Sequence, residues 1–145
     1  MMTQLQTDAA QHPELFQWNG SIPEQRLLRW LKDRALVVPE DLLRLWTTTG
    51  GGELFETETL LAPNRSTDPG SDLDSVNQLH WESGLPTKYL IFSVGAFGLS
   101  AIRLADGNYV LLDDEGYSEL SEFTDLADWY SSTIRSEYAQ RYGLE

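Results

Sequence analysis

Carboxylates are the reactive groups this 145-residue chain holds in quantity: 23 Asp and Glu, against two His and no Cys. Three clusters have spacings worth testing for chemistry. Asp68, Asp72 and Asp74 with Ser71 have the composition of a cation-binding loop, but with Asp72 as the first ligand the fifth, sixth and twelfth positions hold Val76, Asn77 and Ser83. A helix–loop–helix calcium site requires an oxygen ligand, a glycine and a bidentate Glu there. Asp113, Asp114 and Glu115 stand consecutively before Gly116, with Glu119 four residues on, and Glu122, Asp125 and Asp128 follow. Acids near a helix N-terminus complement its dipole, which accounts for Glu122 and Asp125. The triplet repels itself unless a partner or counterions relieve it. Glu53, Glu56 and Glu58 flank a glycine run, and strand alternation would put Glu56 and Glu58 on one face.

General acid–base catalysis needs two such groups in a cleft with separated pKa values, and no spacing here indicates one. His12 lies in a polar segment and His80 beside Trp81, where a boundary histidine bonded to its surroundings is the expected role. The chain has no G-x-S-x-G, H-E-x-x-H, Walker or G-x-G-x-x-G motif, and Gly95 and Gly98 are explained by a hairpin. The expectation is a protein with no catalytic residue, no metal and no cofactor.

Charge points the same way. Ten Lys and Arg leave a net charge of −13, unevenly spread: residues 1–50 carry five basic and six acidic groups, residues 51–100 two and seven, residues 101–145 three and ten. Such a field repels phosphate backbones and anionic membranes and steers basic partners inward. No nucleic-acid or membrane partner is expected; a basic protein partner is. Missing cysteines and a polar start without an apolar leader agree with a cytoplasmic location. Hydrophobic residues make up 41% of the chain, with five Trp, which is enough for one core.

The elements that would position these groups follow from periodicity. Residues 1–20 have few periodic apolar positions and end in Trp18-Asn19-Gly20, so they read as a loosely packed N-terminal arm, with the domain proper over 21–145. Ser21-Ile22-Pro23-Glu24 has the form of a capping box ahead of a helix reaching Ala35. Val38-Pro39-Glu40-Asp41 opens a second helix, ended by Thr49-Gly50-Gly51-Gly52. Short strands are expected at 53–56 and 59–62, a loop at 63–70, and a helix at 71–82. Strands at 89–94, 99–104 and 109–113, joined at Gly95-Ala96-Phe97-Gly98 and Asp106-Gly107, form an antiparallel meander. A further strand near 117–120 and a helix over about 124–142 close the chain. The fold class is α+β: a single domain with an antiparallel, possibly mixed, sheet of about four to six strands and helices packed on one side.

In that order, the 38–45 helix opening, the Thr49-Gly50-Gly51-Gly52 stop, the meander from Leu90 to Asp113 and the closing helix begun by Ser121-Glu122-Phe123 resemble the SUKH superfamily over about residues 21–135. The chain departs from the usual pattern at Leu43, where an aromatic is common, and at Thr49, where Asn is common. The resemblance implies an immunity protein that binds and neutralises a cognate toxin, commonly a nuclease or nucleic-acid deaminase, and carries over no catalytic residue. Joined to the charge, it makes Asp113, Asp114, Glu115, Glu119, Glu53, Glu56 and Glu58 the candidate partner-binding residues. A cellular adaptor on the same fold, without a toxin partner, and a carboxylate-based hydrolase are the alternative readings. Oligomeric state is not legible in the sequence.

Overall fold

The computed structural model describes residues 3–63 and 72–144. Seven strands form one antiparallel sheet in sequence order: β1 (Phe16–Trp18), β2 (Gly52–Leu54), β3 (Glu58–Leu60), β4 (Tyr89–Gly95), β5 (Gly98–Arg103), β6 (Asn108–Leu112) and β7 (Glu119–Phe123). The helices are α1 (Thr3–Gln11), α2 (Glu24–Asp33), α3 (Glu40–Thr49), α4 (Leu73–Glu82) and a last helical segment, α5, formed by Leu126–Trp129, a π-helical stretch Tyr130–Arg135, and Ser136–Tyr142. The domain is α+β, and the sheet is antiparallel throughout.

Strand number exceeds the expected four to six because the N-terminal segment supplies one. Where the sequence pattern suggests a loose arm, the structure has α1, a turn of 3-10 helix at Pro13–Leu15 and the edge strand β1, with Leu5, Leu15 and Phe16 in the core. α1 escapes a periodicity search because it buries little beyond Leu5 and Asp8, and Asp8 reads as a surface residue until its partners are known. The Ser21 capping box also does not form. Residues 19–22 instead run along the end of α3, with Asn19 N–H donating to the Gly51 carbonyl (2.8 Å), Gly20 to Thr49 (2.9 Å) and Ile22 to Thr47 (3.0 Å), and α2 starts from Pro23 with no side-chain cap.

The glycine run makes that closure possible. Gly50, at φ +69°, ends α3, and a Cβ on it would lie 1.9 Å from the Gly20 carbonyl oxygen; one on Gly52 would lie 2.0 Å from that of Gln17. The three glycines therefore stop a helix and admit the passing strand at once.

β4 is the central strand and is buried from Tyr89 to Ser93. β3 pairs with only its second half, so the first half would present an open edge. α4 closes it with side chains. The Asn77 amide accepts from Ile91 N–H (2.6 Å) and donates to the Ile91 carbonyl (2.9 Å), as a neighbouring strand would, and Trp81 Nε1 donates to the Tyr89 carbonyl (2.9 Å). The largest side chains of the core are aromatic: Trp46, Phe55, Phe92, Tyr109, Trp129, Tyr130 and Tyr138 are all essentially inaccessible. Their polar atoms are satisfied, as buried N–H and O–H groups must be; Trp46 Nε1 donates to the Leu61 carbonyl (2.8 Å) and Trp129 Nε1 to Ser100 Oγ (2.9 Å). Among the described residues no helix is long and apolar enough to cross a membrane.

Candidate functional site

Because successive strands alternate in direction, the β2–β3, β4–β5 and β6–β7 turns share one end of the sheet. Two of them carry candidate acids there. In the β6–β7 turn, Asp113 N–H donates to the Ser118 carbonyl (2.9 Å) and Tyr117 N–H to that of Asp113 (2.9 Å), leaving Asp114 and Glu115 exposed and Asp113 half-buried. In the β2–β3 turn, Phe55 (φ +52°) and Glu56 (φ +69°) both adopt the left-handed conformation, which costs a non-glycine residue about 1 kcal/mol or more. Burial of Phe55 holds it: its ring stacks on Tyr138 (5.0 Å, 10°) and meets Phe16 edge-on (5.1 Å), and its N–H donates to the Leu15 carbonyl (2.8 Å). Glu56, next in the chain, is thereby held out in solvent. Half-buried Phe97 and Tyr117 lie in the turns beside these acids. Among the described residues no cation pairs with Glu53, Glu56, Asp113, Asp114 or Glu115; the nearby Arg141 guanidinium lies 5.1 Å over the Tyr138 ring instead.

The other candidates are separated from this group. Glu58 does not share a face with Glu56, because the chain turns between them; its carboxylate points inward at 4% exposure and accepts from Tyr138 Oη (3.0 Å) and Ala96 N–H (2.9 Å). A Cβ on Gly95 would come within 2.0 Å of it, so this glycine makes room for the buried carboxylate that fastens the β4–β5 hairpin. Tyr138 is pushed above the ordinary phenol range by burial, with the adjacent Glu58 charge adding to the shift. Glu53 is exposed on β2, opposite Gln17 of β1 and Thr59 of β3.

Glu119 belongs to a network that sequence reasoning missed. The Arg103 guanidinium donates to Asp106 through Nη2 (2.7 Å) and Nε (3.0 Å), to Glu119 through Nη1 (2.8 Å) and to Glu122 through Nη2 (2.5 Å). Tyr89 Oη donates to the second Glu119 oxygen, and Asn108 Nδ2 to Glu122 (2.7 Å). The Tyr89 hydrogen bond, with the Arg103 guanidinium beside it, lowers the Glu119 carboxyl, and the Arg103 hydrogen bonds lower that of Asp106. Burial and the Glu119 carboxylate push Tyr89 up to about 12. A single cation thus holds three of the ten acids of the C-terminal third.

Two other acids are structural hubs. Asp41, in the first turn of α3, accepts from Tyr109 Oη, from Leu42 N–H (2.9 Å) and from Leu126 N–H (2.9 Å), joining α3, β6 and the start of α5. Asp8, at 1% exposure, accepts from Tyr130 Oη (2.6 Å), Arg135 Nε (2.8 Å) and Gln4 Nε2 (2.8 Å), tying α1 to the π-helical stretch. No local signal reveals either, since the partners lie up to 127 positions away in sequence. His80 Nδ1 is 2.9 Å from Tyr117 Oη, the bonded boundary role expected of it. Asp72 caps α4 by accepting from Ser75 N–H (3.3 Å); Asp68 and Ser71 lie outside the described residues. Among the described residues no group of three or more His, Asp or Glu is arranged to hold a metal ion.

Two grooves open elsewhere. One, of about 800 Å³, lies between α1, Trp18 and α3 and is rimmed by the Glu40–Arg44 pair (2.7 Å). The other, of about 760 Å³, lies between α2 and α4. Chemically, then, the buried and networked carboxylates are engaged with donors, while Glu56, Asp114 and Glu115 at the turn end are exposed and have no cation paired to them among the described residues. No protein-family model matches the chain, and no curated protein matches it either.

Proposed function

We propose that the protein is a non-catalytic protein-binding module, an immunity protein of the SUKH type that neutralises a toxin domain by covering its basic surface with the turn end of the sheet. The observation that carries this reading is the exposure of Glu56, Asp114 and Glu115 at one end, with no cation paired to them among the described residues. Acids whose role is to hold the fold carry donors here, as Asp8, Asp41, Glu58 and the Arg103 network do. Acids left without them, on a protein of net charge −13, are arranged to meet charge from outside. Phe97 in the neighbouring β4–β5 turn and Tyr117 in the β6–β7 turn supply the apolar contact that gives affinity, while the carboxylates speed encounter and exclude acidic competitors.

Coexpression with a toxin encoded immediately upstream tests the reading: a complex and restored growth are expected, and neither appearing sinks it. Converting Asp113, Asp114 and Glu115 together to Lys should slow association at low salt by at least about tenfold and flatten its salt dependence. Unchanged stopped-flow kinetics would remove this end from the interface.

A further inference from the structure

The two edges of the sheet differ. β1, at one edge, has three residues; β7, at the other, has five, of which Glu119 to Glu122 are exposed and Phe123 is half-buried. β7 pairs with β6 on its inner side, and among the described residues nothing bonds to the N–H and C=O groups of its outer side. A strand directs every second N–H and C=O pair away from its neighbour, so such an edge is a template for one more strand. Sheets commonly guard it with lysine. Here the chain carries eight acids and no Lys or Arg between Arg103 and Arg135. Those acids border β7 along its length. Asp113, Asp114 and Glu115 stand in the turn before it, Asp125 and Asp128 at the start of α5 after it, and none of the five pairs with a cation among the described residues. Glu119 and Glu122, on the strand, share the Arg103 guanidinium with Asp106, three carboxylates to one cation, so that cluster also keeps negative charge. Leu120 is the extra residue of a β-bulge opposite Leu111 and Leu112, and its side chain projects into solvent at 57% exposure.

We propose that β7 is a docking edge for an extended basic segment of a protein partner, which adds to the sheet as a further strand. Backbone hydrogen bonds along the outer side of β7 hold the segment, its Lys and Arg side chains meet the acids at both ends of the strand, and Leu120 supplies an apolar contact. Charge complementarity selects this occupant. A second copy would set the same row of acids against its own, and a chain of −13 opposes that pairing. A nucleic acid has the wrong sign of charge and no strand backbone to offer. The inference rests on the reading of the protein as a binding module for a basic partner and adds how that partner is held: the contact at the Asp113–Glu115 turn continues along the strand that leaves it.

Amide hydrogen exchange of the full chain, read by NMR, tests it with a short capped peptide alternating Lys with Thr; the same peptide with Glu for Lys is the control. At low salt and about 1 mM lysine peptide, exchange should slow about tenfold at alternate amides of residues 119–123, and the protection should fall as salt is raised. The glutamate peptide should leave those amides unchanged. Leu120→Lys should reduce the protection at least about threefold, with an unchanged circular dichroism spectrum because residue 120 is exposed. A lysine peptide that leaves the β7 amides unprotected overturns the inference, even if it perturbs the acids, since ion pairing alone adds no strand. Equal protection by the glutamate peptide overturns the charge selection, and protection that grows with protein concentration alone would assign the edge to a second copy. No toxin is needed for this experiment, so the two readings fail separately. A toxin complex with β7 unprotected by peptide removes the docking edge and keeps the immunity reading; protected β7 without any toxin complex does the reverse.

Discussion

Two acidic regions of similar composition have opposite local chemistry. Asp106, Glu119 and Glu122 converge on Arg103 and are further bound by Tyr89 and Asn108; Asp113, Asp114 and Glu115, in the turn between the same pair of strands that carries Glu119 and Glu122, have no cation beside them among the described residues. The difference teaches that acid content alone does not mark a binding surface. The two regions differ in whether the fold supplies the counter-charge. Where it does, the carboxylate belongs to the structure; where it does not, the charge is available to a partner.

Removing acids with internal partners should cost stability, and removing those without should not. The largest effect is expected for Asp8→Ala, which takes the carboxylate from a buried site shared by Tyr130 and Arg135 and should destabilise the fold by about 3 kcal/mol or more, read from urea denaturation. A change under 1 kcal/mol would show that α1 is held by apolar contacts alone. Asp41→Ala comes next, since three donors from α3, β6 and α5 lose their common acceptor; about 2 kcal/mol is expected, with hydrogen exchange rising first at the Leu126 N–H.

Arg103→Ala should cost about 1 kcal/mol, because the network is partly exposed, and its signature is the pH dependence. Glu119 and Asp106 titrate below their ordinary values in the folded protein, so they contribute stability that is full above the unfolded carboxyl range and is lost as pH falls through the lowered folded values. Wild-type stability should therefore drop below about pH 4. Arg103→Ala should drop less steeply there, and parallel curves for the two proteins would mean that Arg103 does not set those protonation equilibria. The smallest stability change is expected for the Asp113, Asp114 and Glu115 triple reversal to Lys, within about 0.5 kcal/mol. That substitution should act on association rate and not on folding, the reverse of Asp8→Ala.

Much of the architecture was legible in the chain. The meander from Tyr89 to Leu112, the turns at Gly95–Gly98 and Asp106–Gly107, α3 with its glycine stop, and α4 follow from local periodicity and turn chemistry, which depend on residues a few positions apart. In the last helix the π-helical stretch starting at Tyr130 alters the helical spacing, so that Trp129 and Tyr130, adjacent in the chain, are both buried. The N-terminal strand was not legible, since a three-residue edge strand is defined by the β2 residues it pairs with and not by its own pattern.

The sequence by itself determined the fold class, the acidic charge and its bias toward the C-terminal two-thirds, and it placed an acidic triplet in a turn. Only the tertiary structure decided which acids are available. Asp8, Asp41, Glu58 and Glu119 look no different in the chain from Asp114 or Glu115. They became structural because Arg135, Tyr109, Tyr138 and Arg103 arrive beside them from distant positions. Hydrogen bonds and ion pairs act over a few ångströms, so a carboxylate's role is set by its neighbours in space.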